Sequence, residues 1–264
     1  MNPIIEQNRR AWDERVRKRQ RHTGTATDKD FADPLRALDD CGWFEGPLAG
    51  KSVLCLGAGG GKHGPLCAAA GAKVTVVDIS SDMLALDQKL AAERGLQLRT
   101  IEASMDDLAM LGDSIFDLVL QPVSTCYVPK IVAVYEEVAR VTKPGGLYIS
   151  QHKQPAALQA EAAPTLAGYL VNEPYERDTP LPPAPESSLH REPGTIEFLH
   201  TLESIMGGLC RSGFVIEDLI EPRNGDPAAA PGTFAHRSLY FPPFVTMKAR
   251  RKNEPRPAKI WLPK

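Results

Sequence analysis

A buried apolar run, Val53–Leu56, is followed at once by Gly57-Ala58-Gly59-Gly60-Gly61, and Asp78 closes the next apolar run 21 residues after Gly57. Glycines in that place let the chain turn sharply and let a ligand approach bare backbone. An acid at the end of the second run can accept hydrogen bonds from both hydroxyls of a ribose. Together these residues describe a nucleoside-binding unit of strand, glycine turn, helix and strand. Gly59 to Gly64 also satisfies the dinucleotide spacing G-x-G-x-x-G, a weak signal alone. Phosphate hydrolysis through a P-loop is disfavoured, because that motif needs glycine at 56 and Ser or Thr at 63, where the chain has Leu56 and His63.

The elements that must position these residues are legible from apolar periodicity. Strands are expected near 52–57, 73–79, 97–102, 115–121 and 146–152, alternating with helices near 63–71, 81–94 and 128–142. Such alternation predicts a parallel sheet covered by helices on both faces, hence a doubly wound α/β fold. Continuous apolar runs at Val53–Leu56, Val74–Val77 and Leu118–Leu120 suit strands covered on both sides. A helix is expected over 3–22, with Trp12 and Val16 as its apolar stripe.

Between Gln154 and Gly194 prolines stand at 155, 164, 174, 180, 182, 183, 185 and 193. That density suits an irregular lid with a short helix near 156–170. A helix near 197–211, a strand near 213–221 and a last strand from Ser238 to Arg250, interrupted at Pro242-Pro243, complete the fold. The expected organisation is a helical cap (1–50), an α/β core (51–153), a lid (154–196), a C-terminal completion of the sheet (197–250) and an extended tail (251–264) with Trp261 as an anchor.

Four consecutive blocks, VLCLGAGGGKHG (53–64), VTVVDISSDML (74–84), FDLVLQPVS (116–124) and EEVARVTKPGGLYIS (136–150), resemble class I S-adenosylmethionine-dependent methyltransferases of the small-molecule type. A weaker likeness extends to LHTLESIMGGLCRSGFVIEDLIEP (199–222). The resemblance implies a seven-stranded Rossmann-like sheet with S-adenosyl-L-methionine as cofactor. It implies that backbone around Leu56, Gly57, Ala58, Gly59 and Gly61 meets the methionine part, that Asp78 meets the ribose, and that Ile79 and Met83 meet the adenine face. Ile79 and Met83 also read as ordinary core residues.

Where the family places an aspartate for the adenine amine, this chain has Ser104, which leaves Ser104, the Met105 backbone and Asp106 as candidates. Asn8 and Trp12 resemble an N-terminal helix that folds over the cofactor, or serve as a structural staple. Gln121, at the end of the fourth strand, is a further candidate for binding the cofactor. Members that methylate planar amines carry Asn or Asp, Pro-Pro and an aromatic there. Gln121-Pro122-Val123-Ser124 departs from that, which disfavours base or glutamine methylation.

Transfer of a methyl from a sulfonium is an in-line displacement that needs alignment and exclusion of water. A hydroxyl or acidic carbon as acceptor would add the need for a base. His200 is the first candidate and His152 the second, each weighed against a structural histidine. Tyr127, just after the fourth strand, is a candidate lining residue. The other histidines show no metal-ligand spacing, so no metal is expected.

With 42% hydrophobic and 24% charged residues, no long apolar run and no secretory leader, a soluble cytoplasmic protein is expected, without membrane partners and as monomer or homodimer. Five cysteines without C-x-x-C spacing read as reduced thiols. A formal charge of −2 gives no global attraction to nucleic acid, although segments 9–22 and 248–252 are basic. A small-molecule acceptor therefore leads. An RNA or protein methyltransferase using the basic segments, a cofactor-binding protein without turnover and an NAD-dependent oxidoreductase are the alternatives.

Overall fold

The computed structural model describes residues 2–253; the tail 254–264, with the anchor expected at Trp261, lies outside them. The chain opens with α1 (Pro3–Arg17), α2 (Asp28–Ala32) and α3 (Pro34–Leu38). The alternating part follows as β1 (Ser52–Leu56), α4 (His63–Ala69), β2 (Lys73–Asp78), α5 (Ser81–Glu93), β3 (Arg99–Glu102), β4 (Phe116–Gln121), α6 (Ile131–Val141) and β5 (Thr142–Lys153). Beyond it come α7 (Pro155–Gln159), α8 (Gly208–Arg211), β6 (Phe214–Ile220), α9 (Phe234–Arg237) and β7 (Phe244–Arg251). The seven strands form one sheet in the order β3-β2-β1-β4-β5-β7-β6. All pair in parallel except β7, which runs antiparallel to both neighbours. This is the seven-stranded, mostly parallel α/β sheet expected from the sequence.

Strand periodicity sorts the core into two layers. Leu54, Leu56, Val77, Val119 and Tyr148 point to one face, where α6 and α8 supply Val134, Val138 and Leu209. Val53, Cys55, Val76, Leu118 and Leu120 point to the other, beneath Cys67 of α4 and Leu84 of α5. Burying both faces of β1 and β4 fixes their register, since a slip by one residue would exchange the two layers. No helix among the described residues is long and apolar enough to cross a membrane.

Several expected boundaries are corrected. The first helix ends at Arg17, not near 22, because Arg19 adopts φ +52° and closes the end with the hydrogen bonds Gln20 N to Arg15 O (3.0 Å) and Arg19 N to Val16 O (3.0 Å). That geometry usually calls for glycine, so the sequence carried no stop signal. The helix expected near 156–170 is the single turn α7; beyond it Ala160 bridges Val171. The helix expected over 197–211 begins only with a π-helical turn, Glu203–Gly207, that runs into α8. The last strand begins at Phe244 and not at Ser238, since α9 and the Pro242-Pro243 pair occupy the preceding stretch.

Helix α1 is held across the carboxyl ends of the strands by buried polar groups. Asn8, fully buried, accepts from Ile196 N (2.7 Å) and donates to the carbonyls of Ile196 and Tyr127 (both 3.1 Å). Asp13 accepts from Ser80 Oγ (2.6 Å), and Ser80 in turn caps α5 by accepting from Met83 N (3.1 Å). One face of α1 thereby joins the N-terminus, the lid end and the start of α5.

Candidate functional site

Parallel strands leave their carboxyl ends on one edge, and a cavity of about 1300 Å³ opens there between β1, β2, α1 and the lid. Gly57 follows β1 with φ +55°, and a Cβ on it would lie 2.7 Å from Ser124 Oγ. A Cβ on Gly59 would lie 2.9 Å from the Met83 Cβ and 3.0 Å from Asp78 Oδ2. Only bare backbone fits there, and it forms one wall of the cavity.

Asp78 closes β2 with each oxygen already holding one backbone donor: Gly59 N to Oδ2 (2.9 Å) and Ser80 N to Oδ1 (3.0 Å). An ionised carboxylate has about four acceptor sites, so both oxygens keep capacity toward the cavity. Burial pushes the Asp78 carboxyl up, against the backbone hydrogen bonds that favour its ionised form. Hydroxyl donors from a bound ribose would relieve that cost. The geometry of turn and acid therefore fits the ribose and backbone contacts of an adenosyl ligand, and Ile79, Met83 and Met105 provide apolar wall beside them.

A second acid supports the turn from behind. Asp87 Oδ2 accepts from Gly60 N (2.8 Å), while its Oδ1 is buried without a partner. Burial pushes this carboxyl up to about 7, with the backbone donors of Gly61 and Gly60 opposing. Sequence spacing gave no hint of it, since Asp87 lies in mid-helix and reads as a solvated face.

Of the residues expected at the cofactor, Gly57, Ala58, Gly59, Asp78, Ile79, Met83, Met105 and Trp12 line the cavity. Leu56, Gly61, Ser104, Asp106 and Gln121 do not. The Leu56 side chain is wholly within the core. Gly61 supports the N-terminal segment, its carbonyl accepting from Ala26 N (2.9 Å). Ser104 turns its hydroxyl onto Asp106, so Ala103 and Met105 form the wall at that point. Gln121 sits behind the wall, donating to Ser124 Oγ (3.0 Å) and accepting from the Tyr148 hydroxyl. It acts on the cavity through Ser124, which does line it.

The histidines expected as bases are both away from the wall. The His152 ring is held between Thr125 Oγ1 and Ser150 Oγ, each at 2.8 Å, and burial with the neighbouring His200 keeps its pKa down at about 3. His200 donates from Nε2 to the Thr125 carbonyl (3.0 Å), and burial lowers its pKa as well. Both nitrogens of His152 are therefore occupied with structural work. Tyr127, the third candidate, does line the cavity.

Tyr127 belongs to a buried polar group that the sequence did not announce. Its hydroxyl donates to Glu192 Oε2 (2.8 Å), and its ring meets Trp12 edge to face at 5.8 Å. Lys153, at the end of β5, donates to Glu192 Oε2 (2.6 Å) and Glu197 Oε2 (2.9 Å). Burial acts against the Lys153 ammonium, but the Cys126 sulfur and the two carboxylates more than offset it. Burial alone would likewise raise Glu192, and Lys153 outweighs it and holds the carboxyl below the ordinary range. Breaking such a buried pair from one side typically costs about 3–5 kcal/mol, so Lys153 fastens the lid to the core.

Residues 54–150 match the methyltransferase domain family. Over 238 residues, 85% of this chain and 93% of the relative, the chain is 32% identical to YbaJ of Bacillus subtilis strain 168, described as an uncharacterized methyltransferase. An S-adenosylmethionine dependent methyltransferase from Mesorhizobium loti shares the fold with a TM-score of 0.62 at 22% identity, covering 84% of this chain and 100% of that one. A geranyl diphosphate C-methyltransferase from Streptomyces coelicolor, solved with Mg2+, geranyl diphosphate and S-adenosyl-L-homocysteine, does so with 0.60 at 17% identity, covering 95% and 98%.

Two outcomes follow from the paired acids. Asp78→Ala removes a charged acceptor from the ribose, worth about 1.5–3 kcal/mol, so calorimetry with S-adenosylhomocysteine should show affinity falling roughly 10- to 100-fold. Asp87 has its folded pKa raised from 3.8 to about 7, so the folded state binds the extra proton and the wild type loses stability as pH rises from about 4 to about 7. Asp87→Asn keeps an oxygen for Gly60 N and abolishes that titration. Urea unfolding at pH 5 and pH 8 should show the variant gaining roughly 2–3 kcal/mol relative to wild type over that interval, and parallel profiles would contradict it.

Proposed function

We propose, for a chain that belongs to the S-adenosylmethionine-dependent methyltransferases, that the methyl acceptor is a small organic molecule held on the lid side of the same cavity. The observation that carries this reading is the lid's attachment. Glu192 on the lid and Glu197 just beyond it meet Lys153 at the end of β5, while Asn8 ties the lid end to α1. A cavity of about 1300 Å³ bordered in this way exceeds the roughly 300–1,000 Å³ of a single drug-sized ligand. It therefore has room for the cofactor and one modest partner.

When bound, S-adenosylmethionine supplies an electrophilic methyl on a sulfonium. The chain's own residues align and exclude. Asp78 holds the ribose, the backbone of Gly57 to Gly59 meets the methionine end, and Trp12 with Tyr127 forms an aromatic wall beside the Glu192–Lys153 pair. The proline-rich segment covers one side of the cavity, where orientation of the partners and exclusion of water favour an in-line displacement. The reading needs no proton acceptor from His152 or His200.

A polymeric acceptor is supported less well. Lys248 pairs with Glu45 (3.1 Å), and Arg250 pairs with Glu217 and Glu45. Arg250 also donates to the Gly145 carbonyl (2.9 Å), near the start of β5 and so away from the strand ends that bear the cavity. Arg9 and Arg10 are held by Glu6. Of the first basic segment, Arg21 and His22 reach the cavity wall together with Trp12. With labelled S-adenosylmethionine and a cell extract, label should appear in the low-molecular-weight fraction. Label in the RNA or protein precipitate instead would contradict the small-molecule reading.

A further inference from the structure

The lid side of the cavity carries more unspent positive charge than its carboxylates can balance. Arg237 of α9 is 3% exposed, yet no carboxylate among the described residues pairs with it. It donates from Nε to the Glu161 carbonyl (3.0 Å) and from Nη2 to the carbonyls of Ala157 and Ala160, and no partner for Nη1 stands among the described residues. Buried guanidinium groups are ordinarily matched by an anion, because desolvating an unpaired charge is expensive. The lid-side carboxylates on the same wall already have donors of their own: Asn172 for Glu161, Arg177 for Glu173 and Lys153 for Glu192.

Two neighbouring side chains also carry unpaired polar atoms. His190 stacks on Phe234, three residues before Arg237, with ring centroids 5.5 Å apart, and its Nδ1 is buried without a partner. Burial and then the Arg237 cation hold the His190 pKa down at about 4. On Arg191, Nη2 is buried and unpartnered, and Nε lies 3.4 Å from Glu197 Oε2 without making a hydrogen bond. Both residues line the cavity with Arg237. Native structures satisfy nearly all buried polar atoms, so unpaired polar atoms on two wall residues beside an unneutralised guanidinium point to a missing partner.

We propose that the methyl acceptor carries an anionic oxygen group, a carboxylate or a phosphate, seated between Arg237, His190 and Arg191 on the lid wall. The proposal rests on the small-molecule reading above and narrows it to organic acids or phosphates. The guanidinium of Arg237, fixed by three carbonyls, offers its remaining nitrogen without reorganisation. The His190 ring adds a donor at its edge, and Arg191 adds charge. One other anion could claim these donors, namely the carboxylate of the cofactor's own methionine.

Calorimetry on the full chain separates the cases. With saturating S-adenosylhomocysteine present, benzoate, phenyl phosphate and the neutral benzamide are titrated in turn. One of the two anions should bind at least about tenfold tighter than benzamide, as charge-assisted hydrogen bonds imply, and the better anion identifies the group. Arg191→Gln and Arg237→Lys should each cut that preference about fivefold or more and leave S-adenosylhomocysteine affinity within about twofold. Equal binding of the three probes, or no binding of either anion, overturns the proposal, and this wild-type comparison decides even if a variant fails to fold. The proposal is overturned as well if the variants weaken S-adenosylhomocysteine but not 5′-methylthioadenosine, which lacks the carboxylate. A wild-type chain that does not bind S-adenosylhomocysteine at all would instead contradict the reading of the cofactor site.

Discussion

The Asp78 carboxylate, half-buried at the end of β2 and gripped by the N–H groups of Gly59 and Ser80, is the interaction on which the rest of the site depends. It fixes the turn after β1 relative to the start of α5, two segments that come from neighbouring strands. The same start of α5 is where Asp13 of α1 attaches through Ser80. Moving the carboxylate would therefore shift the turn, the helix cap and the covering helix together. Its ionised form is costly in that place and favoured by donors, so the site is prepared for a ligand that brings hydroxyls.

A second polar assembly, Lys153 with Glu192 and Glu197, works on the opposite side of the cavity. Buried ion pairs are weak sources of net stability, because desolvation consumes most of the Coulomb gain. What this one supplies is placement. It joins an irregular, proline-rich segment with little hydrogen-bonded structure of its own to the rigid end of β5. Tyr127 and Trp12 complete the seam, so the lid meets the core through specific geometry and not through an apolar patch alone. An enzyme that must exclude water around a reacting methyl needs that kind of fixed closure.

The legible parts of the sequence were those governed by local periodicity or by short spacing. Apolar runs of three or four residues within β1, β2 and β4 pointed to the sheet, and the interval from Gly57 to Asp78 pointed to the candidate nucleoside site. Partners far apart in the chain were not legible. Lys153 and Glu192 stand 39 residues apart, and nothing in the residues between them announces a pairing. Asp87 carried no signal of its own in the sequence, and the helix turns it under the glycine loop. His152 had the right type and place for a base, but strand alternation points its ring into the core between Thr125 and Ser150. Arg19 takes a left-handed conformation that normally calls for glycine, so the end of α1 escaped detection. Ser104 and Asp106 satisfy each other, an outcome that depends on a turn geometry no pattern encodes.

A crystal structure of the chain soaked with S-adenosylhomocysteine tests the central claim most directly. The account predicts both ribose hydroxyls on the Asp78 carboxylate, the amino-acid end against the backbone of Gly57 to Gly59, and the ring between Ile79, Met83 and Met105. A ligand bound elsewhere, or a ribose that leaves Asp78 uncontacted, would contradict it.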